Sequence, residues 1–258
     1  MILERLRRAL REQNWFAVAL EVVIVVVGVV VGFQVSAWGQ GRADLAREAG
    51  YLEQLGQDAQ ETVRRMDEAD SALAPVLRAH AQLLRAYRRP EAPPRDSVLT
   101  WLGRVFNFEA PAPVVATAEA IAQSGDLALI RDDSLRRALP AYLERSDTRR
   151  RDVQADVVLF GQAFVEGTRR YDPWAITSEA ASPSHVDSVS AADDSFALPA
   201  GPRTSPFPLV VGDLLRDREL YHALYVGHVV LYNLRRSRAG AREEAEALLH
   251  LIQTAQAR

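Results

Sequence analysis

An all-α protein, with one N-terminal transmembrane helix and an exported bundle of about six helices, follows from three features of this chain. The first is the run Phe16 to Trp38, FAVALEVVIVVVGVVVGFQVSAW, which holds a single ionisable residue, Glu21. The second is the recurrence of apolar residues every three to four positions along most of the remaining chain, as in helices with one buried stripe. The third is the placement of Asp, Ser and Gly where those periodic stretches begin and end, as helix caps require.

The apolar run comes first. From Trp15 to Trp38 is 24 residues, roughly 36 Å of helix at 1.5 Å per residue. A bilayer core is about 30 Å thick, so one tilted span fits. Trp15 and Trp38 bracket the run at the two interfaces, where aromatic anchors sit. Val also suits strands, but a lone strand in lipid leaves its backbone unpaired. Arg5, Arg7, Arg8 and Arg11 precede the span, and only Arg42 and Arg47 follow closely. The positive-inside rule then puts the N-terminus in the cytoplasm and the rest outside, in the periplasm of a Gram-negative cell. A cleaved signal peptide is the competing reading, since Val35-Ser36-Ala37 resembles a cleavage site. The run is long for that, and Glu21 is out of place in such a segment.

Helical phasing sharpens the span. At 100° per residue, Val25, Gly28, Gly32, Ser36 and Gly39 fall within about 60° of Glu21. Gly28, Gly32 and Ser36 form a small-residue ridge that lets a second helix approach closely. An ionisable side chain in a span faces protein or water as a rule, and at the midplane costs about 2.5–3.5 kcal/mol. Glu21 lies six residues from Trp15, so its cost is smaller and its side chain can reach the cytoplasmic headgroups. Gln34 points some 140° away and serves a different contact. The expected association residues are therefore Glu21, Gly28, Gly32, Ser36 and Gln34. The alternative is a lone anchor whose glycines are incidental.

The pattern Glu21-x6-Gly28-x5-Gln34-x3-Trp38 resembles a bacterial single-pass membrane family of unassigned function. Its members open with a basic stretch and an apolar helix led by Gly-Glu and ending in Gln-Ile/Val-Asn-Asn-Trp. Here Leu20 stands for the Gly, and Ser36-Ala37 for the Asn pair. A second match runs from Thr117 through Ser124-Gly125-Asp126-Leu127 to Ile130-Arg131-Asp132. The resemblance covers most of the chain. It implies a membrane-anchored, largely helical exported domain and carries no activity with it.

The elements follow in order. Residues 1–14 form a basic cytoplasmic tail and 15–38 the span. Residues 39–171 hold the first part of the bundle, whose first helix continues from the span across a Gly39-Gln40-Gly41 hinge. Ala43 to Ala69 is an amphipathic helix with Leu45, Leu52, Ala59 and Met66 every seven residues and Leu55 and Thr62 beside them. Packing within the bundle is the preferred account of that stripe, and a coiled coil the other. Ser71 caps a second helix to Tyr87, with Pro75 early in it. Pro90 to Asp96 is a turn, and Ser97 to Phe108 a short helix. Val114 to Gln123 is helical, with Gly125 as the left-handed residue after it. Leu127 to Ile130 is a buried connector. Asp132 or Asp133 caps a helix to about Asp147, Pro140 kinks it, and Thr148 to Tyr171 is a further helix or its continuation. Residues 172–208, rich in Ser, Pro, Ala and Asp, form a long loop. Residues 209–258 complete the bundle, with Asp213 capping a helix to about Arg238 and a break at Gly240 before the last helix.

The remaining composition limits the chemistry. Removing tail and span leaves about 215 residues, ample for a core. The net charge of −3 gives no field favouring nucleic acid. All 31 basic residues are Arg, which with the heavy Ala usage suggests a GC-rich bacterial genome. Cysteine is absent, so disulfides, thiolate metal sites and Cys nucleophiles are excluded. His80, His185, His222, His228 and His250 show no metal-ligand spacing. Asp132-Asp133 and Asp193-Asp194 are read as caps and solvated loop. Arg149 to Arg151 and Arg235 to Arg238 are read as solvated faces or ion-pair partners. No phosphate loop or nucleophile elbow is present, and no cofactor is expected.

The functional expectation is thus a non-enzymatic interaction or assembly module in the bacterial inner membrane. It forms a homo-oligomer, or pairs with a partner membrane protein, through its span. The alternatives are an exported sensor or ligand-binding subunit, an accessory subunit of a transport complex using Glu21, and, last, a hydrolase. A pocket between helices lined by convergent Arg side chains would favour the ligand-binding alternative.

Overall fold

The computed structural model describes residues 15–171 and 209–257, with the backbone alone for 15–19. The basic tail, the Ser/Pro-rich loop, His185 and Asp193-Asp194 lie outside the described residues. All secondary structure among the described residues is helical: α1 Trp15–Ala86, α2 Arg95–Arg104, α3 Ala116–Ser124, α4 Asp133–Thr168, α5 Val211–Leu214 and α6 Arg218–Gln256. A 3-10 turn, Asp126–Leu129, joins α3 to α4. The chain divides into two compact units, residues 1–52 and 53–258, each described by itself.

The helices are fewer and longer than expected, because the breaks expected at Ser71 and Gly240 do not occur and the continuous alternative holds from Asp133 to Thr168. Helix α1 continues from the apolar run through Gly39-Gln40-Gly41, as expected, with no break at the hinge. Each glycine costs about 1 kcal/mol in a helix, which weakens it without ending it. Ser71 does not cap a new helix either. It sits inside α1, and its hydroxyl donates to the Asp67 carbonyl at 2.9 Å. Pro75 lies four residues on, still within α1. Its cost of about 3 kcal/mol is offset by burial of Leu73, Val76, Ala79 and Leu83. The two helices drawn from Asp133 to Tyr171 are one, with Pro140 exposed inside it. Gly240 is interior to α6, and its missing side chain is used for packing. A Cβ there would lie 2.8 Å from an Arg149 guanidinium nitrogen.

In the second unit, residues 53–86 of α1 and helices α4 and α6 form the frame. Helix α6 runs antiparallel to both others. Against α1, Tyr87 stacks edge-on with Tyr221, and Gly56 meets Ile252. Against α4, Arg169 pairs with Glu219 and Arg149 with Glu244. Two glycines permit the closest approaches: a Cβ on Gly167 would sit 2.4 Å from that of Ala223, and one on Gly227 2.8 Å from His80. One core cluster joins Leu83 of α1, Val98, Leu99 and Leu102 of α2, Leu214 of α5 and Leu220 and Leu224 of α6. A second joins Leu73 and Val76 to Phe160 and to Val230, Leu231 and Leu234. Within this unit the sevenfold stripe faces the interior, with Leu55, Ala59, Thr62 and Met66 buried. Leu45, expected in the same stripe, is instead exposed.

The helix ends follow from local chemistry. Asp132 caps α4, its carboxylate accepting from the Ser134 and Leu135 amides at 3.0 and 2.9 Å. Gly125 takes the left-handed conformation, φ 80°, that closes α3. Asp213 is not the cap of the last long helix. Asp217 is, accepting from Glu219 and Leu220, while Asp213 belongs to the single turn α5. Helix α3 has no cap of its own and borrows one from α1. The Thr117 amide donates to Asp58 at 2.9 Å, and the Val114 amide to the Thr62 hydroxyl at 2.9 Å.

Candidate functional site

Two places have properties that folding alone does not require. The first is the apolar stretch of α1. It is one helix long and apolar enough to cross a membrane. Every residue from Leu20 to Ala43 is exposed, so no side chain of this stretch is buried among the described residues. Glu21, Gly28, Gly32 and Ser36 lie on continuous helix, and their spacing places them on one stripe. A Cβ at Gly28 or Gly32 would meet nothing within 4 Å. Gln34 lies off that stripe, as its phase requires. Trp38 is 68 % exposed, with the Arg42 guanidinium 5.6 Å from its ring centroid. An amphipathic ring beside a cation suits a headgroup boundary. Trp15 begins the helix, and its side chain lies outside the described residues.

The second place is the seam between α4 and α6. A broad groove of about 1060 Å³ is lined by Arg145, Arg149, Arg236, Glu144, Glu243 and Glu244, among others. Its charges compensate each other. Glu244 takes Arg149 at 2.9 Å and Arg145 at 3.3 Å. Burial raises the Asp156 carboxyl above its ordinary value, Asn233 opposes the shift, and nearby Asp152 adds to it.

A smaller cavity of about 270 Å³ lies on the other side of Arg149. It is lined by α4, α6, Met66 of α1 and the segment Ala110-Pro111-Ala112-Pro113. Arg149, Arg150 and Arg238 line it, with no Asp or Glu among the lining residues. Arg238 is the unusual member, being only 4 % exposed. Its guanidinium donates to the Ala69 carbonyl at 2.8 Å and to the Glu109 carbonyl. No carboxylate hydrogen-bonds it, and its Nε has no partner. Burial lowers its pKa, while the charges of Asp70 and Glu109 pull the other way. Arg149 donates to the Ser237 carbonyl and to Glu244, and its buried Nε also has no partner.

The reading of both Arg clusters as solvated faces or ion pairs therefore needs correction at one residue. Arg235 pairs loosely with Asp70 at 3.6 Å, and Arg150 pairs with Asp147. Arg238 does neither. Its burial was visible as a phase: Leu231, Leu234, Arg238, Ala241, Ala245, Leu248 and Ile252 alternate steps of three and four, and all are buried.

Among the described histidines, His222 and His250 are exposed and His80 is buried. His80 Nδ1 lies 3.3 Å from the Leu224 carbonyl and Nε2 3.1 Å from that of Val105. Burial lowers its pKa to about 4, against the pull of those two carbonyls. A neutral ring carries one N–H, so only one of the two carbonyls receives a bond. Among the described residues, no group of three or more His, Asp or Glu side chains is placed to hold a metal ion. Comparison with protein-family models, curated proteins and solved structures returns no match.

Proposed function

We propose that this chain is a membrane-anchored, non-enzymatic helical interaction or assembly module. It self-associates through the Glu21, Gly28, Gly32 and Ser36 face of its span. The observation that carries the reading is the complete exposure of the apolar stretch from Leu20 onward. Large apolar surfaces left open on a folded chain mark contact with lipid or another protein. Within lipid, association depends on close packing and polar contacts, which small residues and a carboxylate on one stripe supply. The Arg imbalance across the span supports a cytoplasmic N-terminus and an exported helical domain. The resemblance of the Glu21, Gly28, Gln34, Trp38 pattern to a bacterial single-pass family supports an inner-membrane location.

Single-molecule photobleaching of tagged protein in native membranes tests it. We expect several bleaching steps per spot at native expression, and a shift to single steps in Gly28→Leu. Single steps in the wild type, or a Gly28→Leu distribution identical to it, would overturn the self-association.

A further inference from the structure

The cavity around Arg238 carries an inference independent of the membrane reading, because it rests on residues 66–241 alone. A guanidinium taken out of water loses several kcal/mol of hydration unless charge and hydrogen bonds replace it. Arg238 receives two backbone carbonyls and no carboxylate, and one of its N–H groups remains unused. Arg149, on the facing helix, leaves the same N–H unused. Both line one cavity that has three guanidinium groups and no acidic residue in its wall. The rest of the wall is mainly apolar, with Met66, Pro111, Pro113, Val153, Val157 and Leu234. Guanidinium groups lining an apolar hollow match an anion with an apolar body, and guanidinium suits oxyanions in particular. At ~30 Å³ per water-sized group, the volume takes roughly nine non-hydrogen atoms.

We propose that this cavity binds a small organic carboxylate. Its head lies against the guanidinium groups of Arg238 and Arg149 that line the cavity, and its short aliphatic body lies against Met66, Val153, Val157 and Leu234. A bound carboxylate would give Arg238 a hydrogen-bonded countercharge in addition to the more distant charges of Asp70 and Glu109. It would also bridge α4, α6 and the Ala110 to Pro113 segment, which Arg238 already holds at its start through the Glu109 carbonyl. Occupancy would therefore tighten the α4–α6 seam.

Isothermal titration calorimetry on the full chain in a mild non-ionic detergent tests this, with hexanoate as the probe. Hexanol, the same body without the charge, and inorganic phosphate, the charge without the body, form the comparison arms. We expect saturable one-to-one heat from hexanoate alone. Gln154→Glu adds a carboxylate at an exposed lining position of α4 and should weaken hexanoate by about tenfold or more through like-charge repulsion. Its thermal unfolding should match the wild type. Arg238→Met should abolish binding. If that variant does not fold, the Gln154→Glu arm decides. Absence of saturable heat with hexanoate, equal binding of hexanol or phosphate, or undiminished binding in Gln154→Glu would each overturn the assignment.

Discussion

Residues 20–43 and residues 53–86 belong to the same helix, α1, yet their side chains meet opposite conditions. In the first stretch every residue is exposed, Val and Phe included. In the second, Leu55, Ala59, Thr62, Met66, Ala69, Leu73 and Val76 form a buried stripe, while Arg64, Arg65 and Glu68 face water. The difference lies in how apolar residues are distributed around the axis. A stripe is covered by other helices of the same chain. An all-round apolar surface asks for a medium that is apolar on all sides. Helical continuity is compatible with either, so secondary structure alone does not separate them.

The largest expected effect breaks the covered half. Leu83 is fully buried against α2, α5 and α6. Leu83→Ala should destabilise the second unit by about 2–5 kcal/mol, from lost transfer energy and the cavity left behind. Val30→Ala, at a residue 48 % exposed, should leave its unfolding unchanged in detergent. Equal costs at the two positions, measured by denaturant unfolding, would erase the distinction. The next effect is acid sensitivity, which belongs to the covered half through His80. Its pKa falls from the ordinary 6.5 to about 4 on folding. On acidification the unfolded ring takes a proton that the folded one refuses. The stability is therefore complete above about pH 6.5 and is lost as pH falls toward 4, by about 3 kcal/mol in total. His80→Gln should flatten that window in a pH series of unfolding midpoints, and an unchanged slope would assign it elsewhere. The smallest effect tests a helix end against a helix face. Asp132→Ala removes the cap of α4 and should cost about 1 kcal/mol, whereas Gln60→Ala on the exposed face of α1 should cost less than about 0.5 kcal/mol. Thermal unfolding of the pair separates them.

What could be read before folding was whatever depended on near neighbours. Asp132 and Gly125 act within a few residues of themselves, and both stand where local rules put them. The sevenfold stripe from Leu52 to Met66 was legible because periodicity reports a face. The missed features are those decided by distant residues. Ser71 starts no new helix, because the local penalty of Pro75, about 3 kcal/mol, is too small to break a long helix when packing favours its continuation. Gly240 reads as a breaker until Arg149, far away in sequence, is seen lying over it. Asp217 outcompetes Asp213 as cap, and Tyr171 donates to its other carboxylate oxygen at 2.9 Å. Arg238 was hidden by its neighbours in an Arg-rich run, although its phase matched the buried stripe.

The antiparallel pairing of α1 with α6 also sets a timetable. Gly56 meets Ile252, and Arg238 reaches back to Ala69. The apolar face of α1 leaves the ribosome about 200 residues before the part of α6 that covers it. At about 5–20 residues per second, roughly 200 residues of synthesis leave that face open for about 10–40 s. Throughout that interval the nascent chain presents Leu55, Ala59 and Met66 to its surroundings with no α6 to receive them. A chain built this way needs shelter during its own synthesis, and truncations that remove α6 should be recovered bound to chaperones or degraded.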